Sequence, residues 1–589
     1  MKQSPLILSV LCLIFVAGCK PTPKSSENEL VFDMDRPLDE VVIHLDGEPD
    51  RLNPCLSVNV YSRAVFDQLF LYLLNVNPVT LEFEPALAIS RPKVSPIEAG
   101  PYAGGLSYEF EIHPQAVWDD GSPVTGHDFA FTLKAVLNTK VPAVAYRPYL
   151  SYIKDVVVDP GNPKKFTVYY SQQYMLGEEV VGALLPVLPA YLFDPEGILA
   201  DIPFAVMADE AQQAALDQEK LQRFADAFTG EAMNRSPGTV DGCGPYDLVS
   251  WETGQRLVLK RKDNWWGDKL ANKYTQLTAY PAQLTFKPIP DPNTASIALK
   301  DGQIDVLSNL PPNLFEEIKA SPFVNERYNF FTPSSLVNTF LYVNTRSPKL
   351  SDKKVRQALA NAIDVQELIE AAYEGYGEPY TSPVHPSSSY YNKDLKAIAY
   401  NPEKAIALLN EAGWKDSNNN GVVDKMIDGE LVEMDLEYKL TAGRELSQTI
   451  AQLIKDQARR AGFNITLTAQ EFNTLNQDMK SGNYELAIGA KSISPTLWEP
   501  KQNFHSEGDN RTGWSTPESD ALIDRIQVTI DEKERNRLYL ELQAMLYDEL
   551  PWIYLLVPTG RVIVHKRFEA TTTPIFPGIA YKHLQLKPH

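Results

Sequence analysis

The stretch Trp118-Asp119-Asp120-Gly121-Ser122-Pro123-Val124-Thr125-Gly126-His127-Asp128-Phe129 reads as a tight turn followed at once by a helix start. Asp120-Gly121 supplies the turn residues. Thr125 is an N-cap, and Asp128 three residues on makes an acidic variant of the capping box. Before the turn, Tyr108-Glu109-Phe110-Glu111-Ile112 alternates apolar and polar side chains, the period of a half-buried strand. After it, Phe129, Leu133 and Val136 carry the helix onward. Strand, turn and capped helix in immediate succession point to a mixed α/β chain.

Working outward, the same grammar recurs. Glu40 to Leu45 is a β-branched strand closed by Asp46-Gly47, and Arg63 to Leu74 has helical apolar spacing. Ala208 to Ala232 reads as helical, whereas Asp241-Gly242-Cys243-Gly244-Pro245-Tyr246 is too rich in glycine and proline for a helix. Strands follow at Arg256 to Arg261 and Leu284 to Lys287, then a helix from Pro292 to Leu299. Further on, Ser351 can cap a helix with Val355, Ala358, Leu359, Ala362 and Ile363 on one face, and Asp364 with Glu367 restarts the pattern. Asn401-Pro402-Glu403 is an N-cap, an N1 proline and a first-turn acid, and Gly413 is the matching stop. Helices at Gln448 to Ala461 and Asp531 to Leu546 interleave with strands at Asp435 to Lys439, Ile465 to Thr468 and Ile553 to Val557.

The N-terminus carries a different message. Met1-Lys2-Gln3 precedes an apolar run, Leu6 to Val16, interrupted only by Ser9 and Cys12, and Ala17-Gly18-Cys19 follows. About 11 apolar residues are too few to span a bilayer core, so residues 1–18 are expected to be a cleaved export signal. The small residues before Cys19 resemble a bacterial lipobox, which makes Cys19 the expected lipidation site. Residues 19–37, with prolines, serines and few large apolar side chains, read as a tether. Basic residues number 55 and acidic ones 76, a net charge of −21 without a local basic block, which disfavours nucleic acid and anionic headgroups. Export leaves Cys55 and Cys243 either as a disulfide, stabilising by about 4 to 5 kcal/mol for so long a loop, or as two buried free thiols.

Four motifs then occur in order: the stretch from Trp118 to Asp128; Gly244-Pro245-Tyr246 with Trp251; Val355-Arg356-Gln357-Ala358-Leu359 with Asp364; and Asn401-Pro402-Glu403-Lys404-Ala405 with Leu408-Leu409 and Ala412-Gly413-Trp414. Together they resemble the extracellular solute-binding proteins of family 5, the oligopeptide- and dipeptide-binding components of ABC importers. The resemblance implies a two-lobed periplasmic-binding-protein-like α/β fold (type II, cluster C) with an additional domain and a hinge. By analogy, domain I comprises residues 38–70, 235–300 and 556–589, domain II comprises 71–234, and domain III comprises 301–555. Signature residues such as Trp118 and Gly121 are expected to be structural, and Arg356 to form a surface ion pair.

Ligand contacts implied by the resemblance fall on Ser57, Val58, Asn59 and Tyr61, on Tyr342 and Asn344, and on Ser492, Ser494, Thr496 and Trp498. Such segments offer backbone pairing and aromatic walls to an extended peptide. Peptide-binding members carry an aspartate for the peptide ammonium in the segment matching Ser492 to Pro500. Here the nearest acid is Glu499, beside Pro500, and an ammonium buried without a counter-charge is costly. Blocked or branched peptides, oligosaccharides and other solutes therefore gain ground over a peptide with a free N-terminus. In Asp416-Ser417-Asn418-Asn419-Asn420-Gly421-Val422-Val423-Asp424, the oxygens of Asp416, Asn418, Asn420 and Asp424 follow the first part of a calcium loop, but Ile427 stands at position 12. A weak calcium site and a solvated turn both fit that pattern, and no other cofactor is expected.

The expected function is a monomeric, lipid-anchored solute receptor, facing the periplasm or cell exterior, that delivers a peptide or similar solute to the permease and ATPase subunits of an importer. A sensor or chaperone-like binder is the alternative. Enzyme motifs such as H-E-x-x-H, G-x-S-x-G and phosphate-binding glycine loops do not occur.

Overall fold

The computed structural model describes residues 37–588. The expected signal sequence, Cys19 and the tether up to residue 36 lie outside them. Glu40–Leu45 is buried along its whole length, because it runs between two parallel neighbours, Gln283–Pro288 and Val306–Ser308. A strand covered on both faces needs a continuous apolar run, and Val41-Val42-Ile43 supplies it. Burying each such side chain stabilises by about 2 kcal/mol. The full seven-stranded sheet has the order Tyr328–Phe331, Val562–His565, Val306–Ser308, Glu40–Leu45, Gln283–Pro288, Arg256–Arg261, Tyr246–Glu252.

Domain II carries its own four-stranded sheet, ordered Lys93–Pro96, Leu106–Glu111, Lys165–Tyr170, Ile153–Val158, and shares one hydrophobic core with the larger sheet. Together they form one lobe. The other lobe is built on a six-stranded sheet ordered Gly377–Pro379, Trp552–Pro558, Val337–Val343, Leu486–Ser492, Asp435–Thr441, Asn464–Gln470. Residues 301–331, expected in domain III, instead complete the first sheet: Val306–Ser308 pairs with Glu40–Leu45, and Tyr328–Phe331 pairs with Val562–His565. The second lobe therefore begins near Val337 and extends through Pro558. The two crossings between lobes lie side by side, since the Ser335 N–H donates to the Pro558 carbonyl at 3.1 Å and the Gly560 N–H to the Pro333 carbonyl at 2.7 Å.

Local signals explain the elements. The capping box at Thr125 is closed in both directions, and Gly121 has φ +83° in the preceding turn. Asp364 and Asn401 cap their helices as their spacing predicts, and Gly413 stops the second with φ +85°. The cap of Lys353–Ala362 is Asp352 rather than Ser351, because the carboxylate accepts from the Lys354 N–H at 2.8 Å. The early helix spans Val60–Leu69 and ends five residues short of Leu74. Gly244 donates its N–H to the Leu69 carbonyl there, and a Cβ on Gly244 would lie 2.5 Å from that oxygen. Arg356 is buried rather than exposed: its guanidinium reaches the carbonyls of Leu350, Ser351 and Glu549 and the Glu549 carboxylate at 2.9 Å.

Cys55 and Cys243 are both buried and free, which corrects the disulfide reading. Cys243 is pinned where it stands, since both Trp265 and Trp266 donate indole N–H bonds to its carbonyl at 2.9 and 3.2 Å. Cys55 is held separately, its N–H donating to the Asn53 side chain at 3.0 Å. Burial pushes the Cys243 thiol up to about 12, and raises Cys55 as well, so neither is an effective nucleophile.

Asp119 of the opening stretch joins the two domains of the first lobe. Lys262, buried at the end of the Arg256–Arg261 strand, places its ammonium 2.7 Å from Asp119, 3.2 Å from Asp241, 3.3 Å from Asp247 and 2.6 Å from the Gly242 carbonyl. Burial opposes the lysine charge, but the three carboxylates outweigh it and hold the group protonated. The acids lie close enough together to suggest a metal cage, yet the ammonium fills it. Lys262→Met is expected to cost about 3 kcal/mol in urea denaturation, the lower end for breaking a buried pair because two of the acids are half-exposed. Adding Asp119→Asn should recover part of that loss by removing one of the stranded charges.

His113 stacks edge-on to Tyr274 at 4.7 Å, and its Nε2 has no partner. Burial, with Lys273 and Lys164 adding, pushes its pKa down to about 4. The unfolded chain protonates this side chain near 6.5 while the folded chain refuses the proton until about 4, so its contribution is lost as pH falls through that window. Urea midpoints measured at pH 7 and at about pH 5 should therefore lie closer together in His113→Phe than in the wild type.

Candidate functional site

The carboxyl ends of the parallel strands Glu40–Leu45, Gln283–Pro288 and Val306–Ser308 open towards the second lobe, the edge where open α/β sheets take ligands. On that edge Ser57 is buried and donates its hydroxyl to Asp50 at 2.6 Å. Asn59 caps the Val60–Leu69 helix by accepting from the Tyr61 and Ser62 N–H groups. The Tyr61 ring covers Gly47, where a Cβ would meet it at 2.7 Å. Val58 alone of the four projects outward, 72% exposed. Ser57 and Asn59 thus shape the loop, and Val58 is left exposed on it.

On the second lobe the register of Val337–Val343 with Leu486–Ser492 decides which residues reach the cleft. Val337 lies opposite Ser492, and Val343 opposite Leu486. Both crossings enter at the Val337 end, so Ser492 and the segment after it lie at the end of the sheet nearest the first lobe. Tyr342 and Asn344 sit at the opposite end, about 20 Å away for six residues of strand. Asn344 is buried and donates its amide to the carbonyls of Gly482 and Tyr484. Tyr342 packs against Phe340 and Trp552, with ring centroids 4.8 and 5.3 Å away. Trp498 is buried too, and Tyr539 donates to its carbonyl at 2.6 Å. These three expected contacts are therefore packing groups. Glu499 is equally committed, accepting from the Lys501 N–H at 2.7 Å and from Gln527 at 2.8 Å.

Side chains that local sequence patterns did not reveal connect the lobes. Thr496 donates its hydroxyl to Glu179 of the Gly177–Ala183 helix in domain II, at 2.7 Å. Arg91 grips Glu178 at 2.6 and 2.8 Å and reaches Glu532 of the second lobe at 2.9 Å. Met175 joins the aromatic core of the second lobe. A cavity of about 60 Å³ lies between the lobes, lined by Tyr174 and Glu178 on one side and by Leu497 and Arg535 on the other. Arg535 is 7% exposed, donates to the Thr529 carbonyl at 3.2 Å, and leaves its Nε unpartnered.

The loop from Asp416 to Asp424 lies away from this seam, beside the hairpin of Asp424–Ile427 and Glu430–Glu433. Asp416 accepts from the Asn420 and Gly421 N–H groups, and Asp424 accepts from the Ser417 N–H. The amides of Asn418 and Asn420 both donate to Glu433, at 3.1 and 2.6 Å. Its side-chain oxygens are thus engaged in closing the loop on itself.

Two lobes, a paired crossing and convergent side chains at the seam define a solute-binding architecture. The model of bacterial extracellular solute-binding proteins, family 5, matches residues 82–510, and the chain belongs to that family. It is 24% identical over 579 residues to the oligopeptide-binding protein AppA of Bacillus subtilis, covering 96% of each chain. It is 27% identical over 357 residues to the nickel-binding periplasmic protein of Escherichia coli, covering 59% of this chain and 64% of that one. Among solved structures, HbpA2 of Haemophilus parasuis superposes with a TM-score of 0.73 at 20% identity, over 93% of this chain and 100% of that one.

The Arg91–Glu532 pair is more than a third exposed on both sides, so salt should screen it. Arg91→Ala is expected to raise the radius of gyration of ligand-free protein in small-angle scattering. About 0.5 M NaCl should do the same to the wild type, since the screening length is then only a few ångströms. Identical scattering curves would show that apolar contacts such as Met175 hold the lobes without the ion pair.

Proposed function

We propose that this chain is the extracytoplasmic receptor of an ABC importer. It captures a peptide or a similar solute between its lobes and presents it to the permease, while the cytoplasmic ATPase supplies the energy. The observation that carries this reading is the seam itself: the lobes are joined by two adjacent crossings and meet through Thr496 and Glu179. Closure about such a hinge traps a ligand without chemistry. The AppA relative is named for binding oligopeptides, which favours peptides within the family's range.

Cys19 belongs to the same reading. Acylation there would keep capture within reach of a membrane permease, and more than one acyl chain gives stable anchoring. No helix among the described residues is long and apolar enough to cross a membrane, so the lipid would carry the attachment. The receptor acts as a monomer, binds no nucleic acid and catalyses no reaction.

Native mass spectrometry of protein purified from its host should reveal a co-purified solute as a discrete mass increment. Thermal-shift screening against peptide, oligosaccharide and metal-chelate libraries should then reproduce that class. Ligand-free mass together with no shift at micromolar concentrations would overturn the receptor reading. Cys19→Ser should release the protein from the membrane fraction without altering solute binding.

A further inference from the structure

We propose that Glu179 is the counter-charge for a cationic group on the solute, received at the seam between the lobes where it meets Thr496, on the side of Tyr174. This deepens the receptor reading and rests on it.

The position is set by both lobes. Glu179 projects from the Gly177–Ala183 helix of domain II, and its carboxylate accepts from Thr496 at 2.7 Å, in the segment that follows the Leu486–Ser492 strand. That segment has no acid of its own before Glu499, which is occupied by the Lys501 N–H and Gln527. The structure therefore brings to it, from the opposite lobe, the charge that its own sequence lacks.

Glu179 is also unlike its neighbour. Glu178 is held by Arg91 through two bonds, whereas no lysine, arginine or histidine among the described residues pairs with Glu179. Burial raises its pKa, and only the Thr496 hydroxyl opposes that. A carboxylate drawn out of water without a cation is a cost that the ligand-free protein carries, and a solute ammonium or guanidinium would relieve it.

The surroundings suit such a group. Tyr152 and Tyr174 stand edge to face with centroids 5.1 Å apart. Tyr149 remains 45% exposed, leaving ring surface free. The Tyr174 hydroxyl is raised to about 12, first by burial and then by Tyr152, Glu499, Tyr149 and Glu179, so Tyr174 feels the charge of Glu179. Tyrosine faces beside a carboxylate are the chemistry that recognises ammonium groups.

The test compares wild-type mature protein with Glu179→Gln. The probes are tri- and tetrapeptide pools with free amines, the same pools N-acetylated, and the non-peptide cations choline and spermidine, each titrated calorimetrically. Wild type should bind the free-amine pool at least about tenfold more tightly than the acetylated one, and Glu179→Gln should bind the two alike. A free-amine preference that survives Glu179→Gln overturns the proposal. Equal binding of both pools by the wild type overturns it too and leaves the receptor reading intact. If neither pool binds the wild type, the peptide reading fails, and choline and spermidine decide. Binding of either cation that Glu179→Gln weakens about tenfold supports the site; no such binding overturns it. Without ligand, Glu179→Gln should melt no lower than the wild type. A lower melting temperature would make Glu179 a structural partner of Thr496 and overturn the assignment.

Discussion

The ammonium of Lys262 is the constraint on which the first lobe depends. It draws together Asp119 from the turn of domain II, Asp241 and the Gly242 carbonyl from the glycine-rich return, and Asp247 from the adjoining strand. Those groups come from separate parts of the chain and would repel one another without it. Gly242 and Gly244 then lie close against Leu69 and Phe70, an approach that any side chain would block. Domain II and the large sheet are thereby fixed as one body, and motion is left to the hinge. A lobe that flexed internally could not set Glu179 opposite Thr496 with any constancy.

Much of the fold is legible in the sequence because its cues are local. The apolar run Val41-Val42-Ile43, the Thr125 capping box and the Asn401-Pro402 helix start each state their structure within a few residues. The domain boundary near residue 301 is not local. Val306–Ser308 is a three-residue strand whose place is decided by distant partners in Glu40–Leu45 and Val562–His565. Tyr342 invites reading as an aromatic wall, but a central strand buried on both faces uses such residues as core.

The candidate site was only half visible for a related reason. The segments expected at the cleft, around Val58 and from Ser492 to Thr496, could be located through family resemblance, since they adjoin recognisable elements. Glu179 could not, because its contact with Thr496 spans 317 positions and its helix is seven residues long, too short to show a face by periodicity. The missing acid in the segment from Ser492 to Trp498 argued against a free amine so long as that segment was considered alone. Charge complementarity in a two-lobed receptor is a property of the closed pair, and either lobe can supply it.

The large sheet also has a temporal consequence. Its inner strand Val306–Ser308 is flanked on one side by Glu40–Leu45 and on the other by Val562–His565, almost the whole chain apart. The second lobe, from Val337 to Pro558, is contiguous and can gather its contacts as it emerges. The first cannot close its sheet until its last strand is present, and contacts of such long range form slowly. A polypeptide built this way stays incomplete in its first lobe until translation is nearly finished, so the second lobe forms on a first lobe still waiting for its last strand.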